Sequence, residues 1–477
     1  MTTRRAFVEG IFHLSEHQTT VRIELIAGLT TFLTMAYIIF VQPAVLSGTL
    51  FNSPTGMDFG ALVTATCAIA ALATAVMALY ARYPIAQAPG MGENFFFVLS
   101  VIPAAAAAGF TNAWEVALGV VFVSGLLFLV LSMVGVREML LNAISPSMKN
   151  GIAVGIGLFI AFIGLQNTGL ILKHPATAVT LNAHFVSPDL LVFFFGFLLT
   201  ASLYARRIPG AMVWGIVGAT LLAMLLRLSL PHLPAVIATS QAVTDSMLQN
   251  RFTIASQVVS LPPSLSPIFL KMDVWRALSL AMLPFVVIFL FMDLFDTIGT
   301  LIGVSEQAGL VQDNQLPRAN RALLSDALAT VLGACVGTST VTSFIESAAG
   351  VEQGGRTGLT SLTTAALFLL ALFFTPLIAM VGSYPPITAP ALVIVGAMML
   401  RNALKIDWSD YSESIPAFLI MLGIPLSYSI ADGLALGFIS YPIIKIGGGK
   451  GREVSWLMRV LAIILVVYFV GVRARMG

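Results

Sequence analysis

What most limits the shape of this chain is a succession of apolar runs, most of them about as long as a bilayer is thick. They lie near 25–46, 59–80, 85–101, 112–134, 150–171, 189–204, 210–229, 277–302, 322–336, 339–350, 358–382, 386–402, 414–428 and 430–446. A helix needs about 20 apolar residues to cross the hydrocarbon core. The runs are continuous rather than alternating, so they predict helices and not the strands of a membrane barrel. A weaker stretch at 456–471 is interrupted by Arg459 and reads as an interfacial or half-inserted helix. Of the 477 residues, 58% are apolar and 10% charged, against roughly 25% charged in a soluble domain. A soluble fold could not hide that surface. A cytosolic enzyme, a nucleic-acid binder and a disordered chain are thereby excluded. The expectation is an all-α polytopic membrane protein with about fourteen transmembrane segments.

Charge sets the orientation. The N-terminus, 1–20, is polar, with Arg4, Arg5 and Glu16, and does not read as a cleaved signal peptide. Placed in the cytoplasm, it leaves sixteen Lys and Arg inside, five outside and three in the tail. That bias follows the positive-inside rule and supports an even number of crossings. The short termini and the lack of a targeting segment make a cell (inner) membrane the expected location, with a plasma membrane equally compatible. A net charge of +2 implies no acidic partner, and Cys67 and Cys335 read as buried thiols. None of the five histidines is placed to relay protons. No Gly-Lys-Ser/Thr loop is present, so an ATP-driven pump on this chain is out.

The polar stretch 231–275, with Pro231, Pro234, Pro262, Pro263 and Pro267, divides the segments into seven and seven. No separately packed domain is expected there. Because seven is odd, the halves must sit in opposite orientations, as an inverted repeat. Segments three and ten are short and broken, at Ala88–Gly92 and Gly337–Thr340. Interrupted segments at matching places in two halves point to a transporter site.

A charge at the bilayer centre costs about 2.5–3.5 kcal/mol on insertion scales and normally faces a protein interior or a water-filled cavity. Segment eight carries Asp293 and Asp296, which share a helix face. Two carboxylates that close repel, and a proton on either relieves the repulsion. Proton-coupled carriers need such a group. Segment ten carries Glu346 among Ser339, Thr340, Thr342 and Ser343, whose hydroxyls suit a half-helix cap or a ligand. Segment three carries Asn94, a donor and acceptor at an interrupted helix, and Phe95, Phe96 and Phe97, an aromatic face for a flat ring. Glu93 reads either as a second polar contact or as a carboxyl packed at an interface. Arg22 and Glu24 read as interfacial anchors, and Asp326 and Asp432 as helix caps. Gln42-Pro43 and Gln166-Asn167 read as peripheral.

At these positions the chain resembles the adenine/guanine/hypoxanthine permease branch of the nucleobase–ascorbate transporter superfamily. The matching stretches are 28–40, Gly90-Met-Gly-Glu-Asn-Phe-Phe, Asp293-Leu-Phe-Asp-Thr-Ile-Gly-Thr and the long run from Thr338 to Thr360. The resemblance implies a seven-plus-seven inverted repeat with short strands in segments three and ten. It divides the chain into a core domain (21–134 and 276–384) and a gate domain (135–230 and 385–447). An extracytoplasmic loop (231–275) joins the halves, and 448–477 forms a tail with a short apolar helix. It further implies a homodimer, a proton as coupling ion, and no cofactor or metal. Asn94, Asp293 and Glu346 would contact a purine, with Asp296 supporting the site or the coupling. Glu93 and Phe95 depart from the branch, which usually has a small aliphatic residue and Ala there, so they bear on substrate choice.

The chemistry agrees. Carboxylates accept from purine N–H groups, an amide supplies the complement, and rings cover the flat face. Other readings are a carrier of uracil, xanthine or an anion on the same fold, an intramembrane hydrolase, or a channel. The first is disfavoured for anions by the acidic site, and the second by the lack of an intramembrane His.

Overall fold

The computed structural model describes residues 9–51, 53–134, 144–183, 185, 187–232, 234, 240–310 and 317–471. Arg4, Arg5, Arg137, Arg473 and Arg475 of the charge count, and His184, lie outside the described residues.

The order of elements follows the apolar runs. α1 (Val21–Met35) and α2 (Ile38–Leu46) form one span. α3 (Phe59–Val76) leads to β1 (Gln87–Pro89) and the half-helix α4 (Met91–Phe96), which continues as helix to Ala107. Then come α5 (Ala113–Val134), α6 (Pro146–Asn167), an exposed hairpin of β2 (Ile171–His174) and β3 (Ala178–Leu181), α7 (Pro188–Ala205) and α8 (Ala211–Ser229). The second half holds α9 (Leu283–Gln307), α10 (Ala319–Val336), β4 (Val341–Ser343), the half-helix α11 (Ser347–Glu352), α12 (Gly358–Ala371) and α13 (Thr375–Gly382). It closes with α14 (Pro385–Met399), α15 (Tyr411–Ser427), α16 (Ile430–Gly447) and α17 (Trp456–Gly471). Among the described residues, eleven helical stretches are long and apolar enough to cross a membrane. Segments three and thirteen are shorter helices, and segment ten is a strand and a half-helix, so each expected segment has a counterpart.

Local chemistry fixes the ends. Thr20, Asp58, Ser145 and Ser187 accept from the backbone N–H three residues on, with Pro at the first helical position of α6 and α7. Gly337, at φ +100°, ends α10 in the left-handed region.

Packing gathers the helices into two sets. α1, α3, α5, α10 and α12 lie against one another, with α9 on α5; α6, α14 and α15 form the second set, with α7, α8 and α16 beside them. The polar stretch before α9 is docked rather than free. Leu248, Phe252 and Ile268 are buried, and Asp189 at the start of α7 accepts from Met247 N (2.8 Å), Leu248 N (3.0 Å) and the Tyr384 hydroxyl (2.7 Å).

β1 and β4 meet antiparallel, with Gln87 opposite Ser343, Ala88 opposite Thr342 and Pro89 opposite Val341. This pair of strands is the inverted repeat in miniature. Each half-helix begins beside it; the first N–H groups of α11 are taken up by the carbonyls of Phe344, Ile345 and Glu346, so the start of α4 is the helix N-terminus left to face the middle of the protein.

Candidate functional site

Asp326 ties the strand pair together. It is fully buried and accepts from Gln87 Nε2 of β1 (2.7 Å), Ser343 Oγ of β4 (3.2 Å) and Thr297 Oγ1 of α9 (2.6 Å). Its helix starts seven residues earlier, at Ala319, so it does not cap α10 as the sequence reading had it. Thr297 also meets Thr342 Oγ1 at 2.8 Å. A buried carboxylate is tolerated where donors surround it, and here each donor comes from a different element of the site.

The segment-eight carboxylates part company. Asp293 is 1% exposed, and its Oδ2 accepts from Thr330 Oγ1 of α10 at 2.8 Å. Thr330 in turn exchanges hydrogen bonds with the Val341 backbone of β4. The other oxygen of Asp293 has no hydrogen-bond partner among the described residues. Asp296, one turn on, is exposed and lines a cavity of about 840 Å³. Glu93 lines the same cavity from α4, with Gly299, Thr300 and Gly303 of α9 and Ile345 of segment ten. Most of the wall is apolar, from Ile152 and Ile156, Phe291 and Met292, Leu434 and Phe438, and Leu461 and Leu465; Lys149, Tyr204, Arg401 and Lys405 stand at the edge that the charge count assigns to the cytoplasm. A Cβ at position 90 would lie 2.3 Å from Glu93 Oε2, so only glycine lets this carboxyl fold back over the start of α4.

The remaining expected site residues stand behind the cavity wall. Asn94 is fully buried; its side chain donates to Gln42 Oε1 and accepts from Ser339 Oγ, and Gln42 Nε2 donates to Thr338 Oγ1 at 2.6 Å. Gln42 is therefore central, where the sequence suggested the periphery. Phe95 is buried edge-on to Phe51 and Phe159. Thr342 and Ser343 lie in β4, bonded as above. Glu346 is half-buried at the start of α11 and accepts from the Tyr37 hydroxyl at 2.9 Å. Glu24, expected as an interfacial anchor, is buried and accepts from the backbone N–H groups of Arg356, Thr357 and Thr360 and from both Thr hydroxyls at the start of α12. Arg22 is exposed as expected. A signal existed for Gln42: a polar side chain inside an apolar span is a site candidate by default. Gln87, inside the 85–101 run, carried the same signal; Tyr37, Thr297 and Thr330 carried none.

Two inverted halves, a broken segment in each, and carboxylates opening onto a cavity between two helix sets define a membrane solute carrier. The chain belongs to the permease family, whose match spans residues 22–436. The guanine/hypoxanthine permease PbuG of Bacillus subtilis is 42% identical over 471 residues, covering 97% of this chain and 99% of that one. The adenine permease AdeP of Escherichia coli is 38% identical over 474 residues, covering 99% and 98%. Among solved structures, the transmembrane domain of the cyanobacterial bicarbonate transporter BicA shares the fold, with a TM-score of 0.58 at 16% identity over 89% of this chain and 96% of that one.

Proposed function

We propose that this permease imports purine nucleobases (hypoxanthine, guanine or adenine) by proton symport through alternating access. The observation that carries the reading is the placement of Glu93, in the first turn of α4, and Asp296 on one cavity, in a chain whose relatives are purine permeases. Carboxylates there can accept from purine N–H groups, and the start of α4 favours the negative charge of Glu93. A site that pairs such edges discriminates strongly, because a mismatched ligand leaves a buried group unpaired. Asp293, Asn94, Glu346, Thr342 and Ser343 shape the site from behind. Asp296 exchanges the coupling proton, with Asp293 and Glu346 as its neighbours in that role.

In this mechanism a core (21–134 and 276–384) carries the bound base past a gate (135–230 and 385–447). The protein sits as a homodimer in the cell membrane with its N-terminus in the cytoplasm. The test is uptake of labelled hypoxanthine, guanine, adenine and uracil into proteoliposomes, with and without an inward proton gradient. Purine accumulation only with the gradient supports symport. Uptake that equilibrates without concentrating, or is absent for every purine, overturns it.

A further inference from the structure

α17 lies beyond the 22–436 stretch that the family spans, yet it lines the cavity. Met458, Leu461, Ala462 and Leu465 are buried, while Val460, Ile463 and Val466 on the opposite side are 40–65% exposed. Spacings of three and four place the buried set on one helix face. That face packs on α16 and α9, and Leu461, Ile464 and Leu465 reach the same cavity as Asp296 and Glu93. The helix is also fastened at its base. Lys445 of α16, 2% exposed, pairs with Glu453 at 2.6 Å and Glu413 at 2.9 Å. Val454 is buried, and Arg459 donates to the Gly451 carbonyl at 2.8 Å. A helix there only to anchor the tail would need no face on the cavity.

We infer that α17 is part of the transport site: Leu461 and Leu465 form the wall that bounds the cavity between α9 and α16, and their bulk sets which substituted bases the site admits. The ligand class is a flat heterocycle with an apolar edge turned to this wall and its N–H edge to the carboxylates. This rests on the purine-transport reading above.

A methylene more or less in an apolar pocket changes discrimination by about tenfold or more. Leu461→Ala with Leu465→Ala should lower KM for a purine bearing a bulky apolar 6-substituent by about tenfold relative to hypoxanthine. Leu465→Trp should shift the ratio the other way. Unchanged KM ratios in variants that still take up hypoxanthine overturn the inference and leave α17 a packing helix.

A second arm decides the case without transport. In a background carrying Cys67→Ala and Cys335→Ala, Leu465→Cys and Ile463→Cys are exposed to a membrane-impermeant maleimide from the cytoplasmic side. Labelling of position 465 but not 463, slowed by saturating hypoxanthine, is expected. Equal labelling of both, or of neither, overturns the wall. Should the wild type take up no purine while 465 alone is labelled, the purine reading falls and the wall stands.

Discussion

Asp293 and Asp296 stand one turn apart on α9 and meet opposite surroundings: Thr330 of α10 closes over the first, and the cavity opens onto the second. The same residue type at helical spacing thus has two environments, one buried against α10 and one exposed on the cavity. A group open to the cavity can exchange a proton with the aqueous side directly, whereas a buried one must pass it through a neighbour. Asp296→Asn should therefore abolish gradient-driven accumulation of hypoxanthine while leaving counterflow between internal and external hypoxanthine. Parallel accumulation and counterflow assays check this. Accumulation at the wild-type level in the variant would remove Asp296 from the coupling.

Gln42 holds the amide of Asn94 on one side and the Thr338 hydroxyl on the other. Gln42→Ala leaves both buried groups short of a partner, at a cost of roughly 1–3 kcal/mol. The expected result is a KM for hypoxanthine raised about tenfold, with smaller loss for Gln42→Glu, which keeps an acceptor for Asn94. Uptake kinetics of the two variants decide it; equal KM values in both would show that the Asn94 orientation does not depend on Gln42.

Glu24 accepts from three backbone N–H groups and two hydroxyls at the start of α12. Glu24→Ala strands them in a buried place, and a loss of about 3 kcal/mol is expected. Glu24→Gln keeps an acceptor oxygen and should lose less. Thermal unfolding in detergent, read by a thiol-reactive dye on Cys67, measures the ranking. An Ala variant as stable as the Gln variant contradicts the helix-start role.

How much of this was legible depended on sequence distance. The spans follow from apolar runs, and the broken segments from Gly90, Gly92 and Gly337, because both signals are local. The Asp293/Asp296 pair was visible from its spacing, but not its division, since Thr330 lies 37 residues away. Gln42, Asp326 and Glu24 were misread for the same reason: their partners Thr338, Gln87 and Thr360 stand 296, 239 and 336 positions off. A polar residue near the end of an apolar run looks like an anchor or a cap until the fold brings its partners to it. The two halves meet at the β1–β4 pair, which no local pattern of three residues each could announce. The tail helix was visible as an apolar stretch, while its face on the cavity required the packing of α9 and α16.

Asp410 precedes α15 and lies outside the spans. Its carboxyl is held below the usual range, chiefly by the hydrogen bond from Lys450 Nζ (2.7 Å), then by the Ser412 side chain and backbone. A carboxyl with a lowered folded-state value contributes stability that is fully present above its unfolded value of about 3.9 and is lost as pH falls through the folded value. Asp410→Asn removes the charge but keeps a side chain able to cap the helix. The difference in Tm between wild type and variant should thus stay constant from about pH 5 to 8 and begin to shrink only below about pH 4. Raised salt should narrow it throughout, because Lys450 is exposed and Asp410 only half-buried, so the pair is screened. Unfolding of both proteins across this range, at low and high salt, tests the assignment. A gap that opened or closed between pH 6 and 8 would place its origin in some group other than this carboxylate.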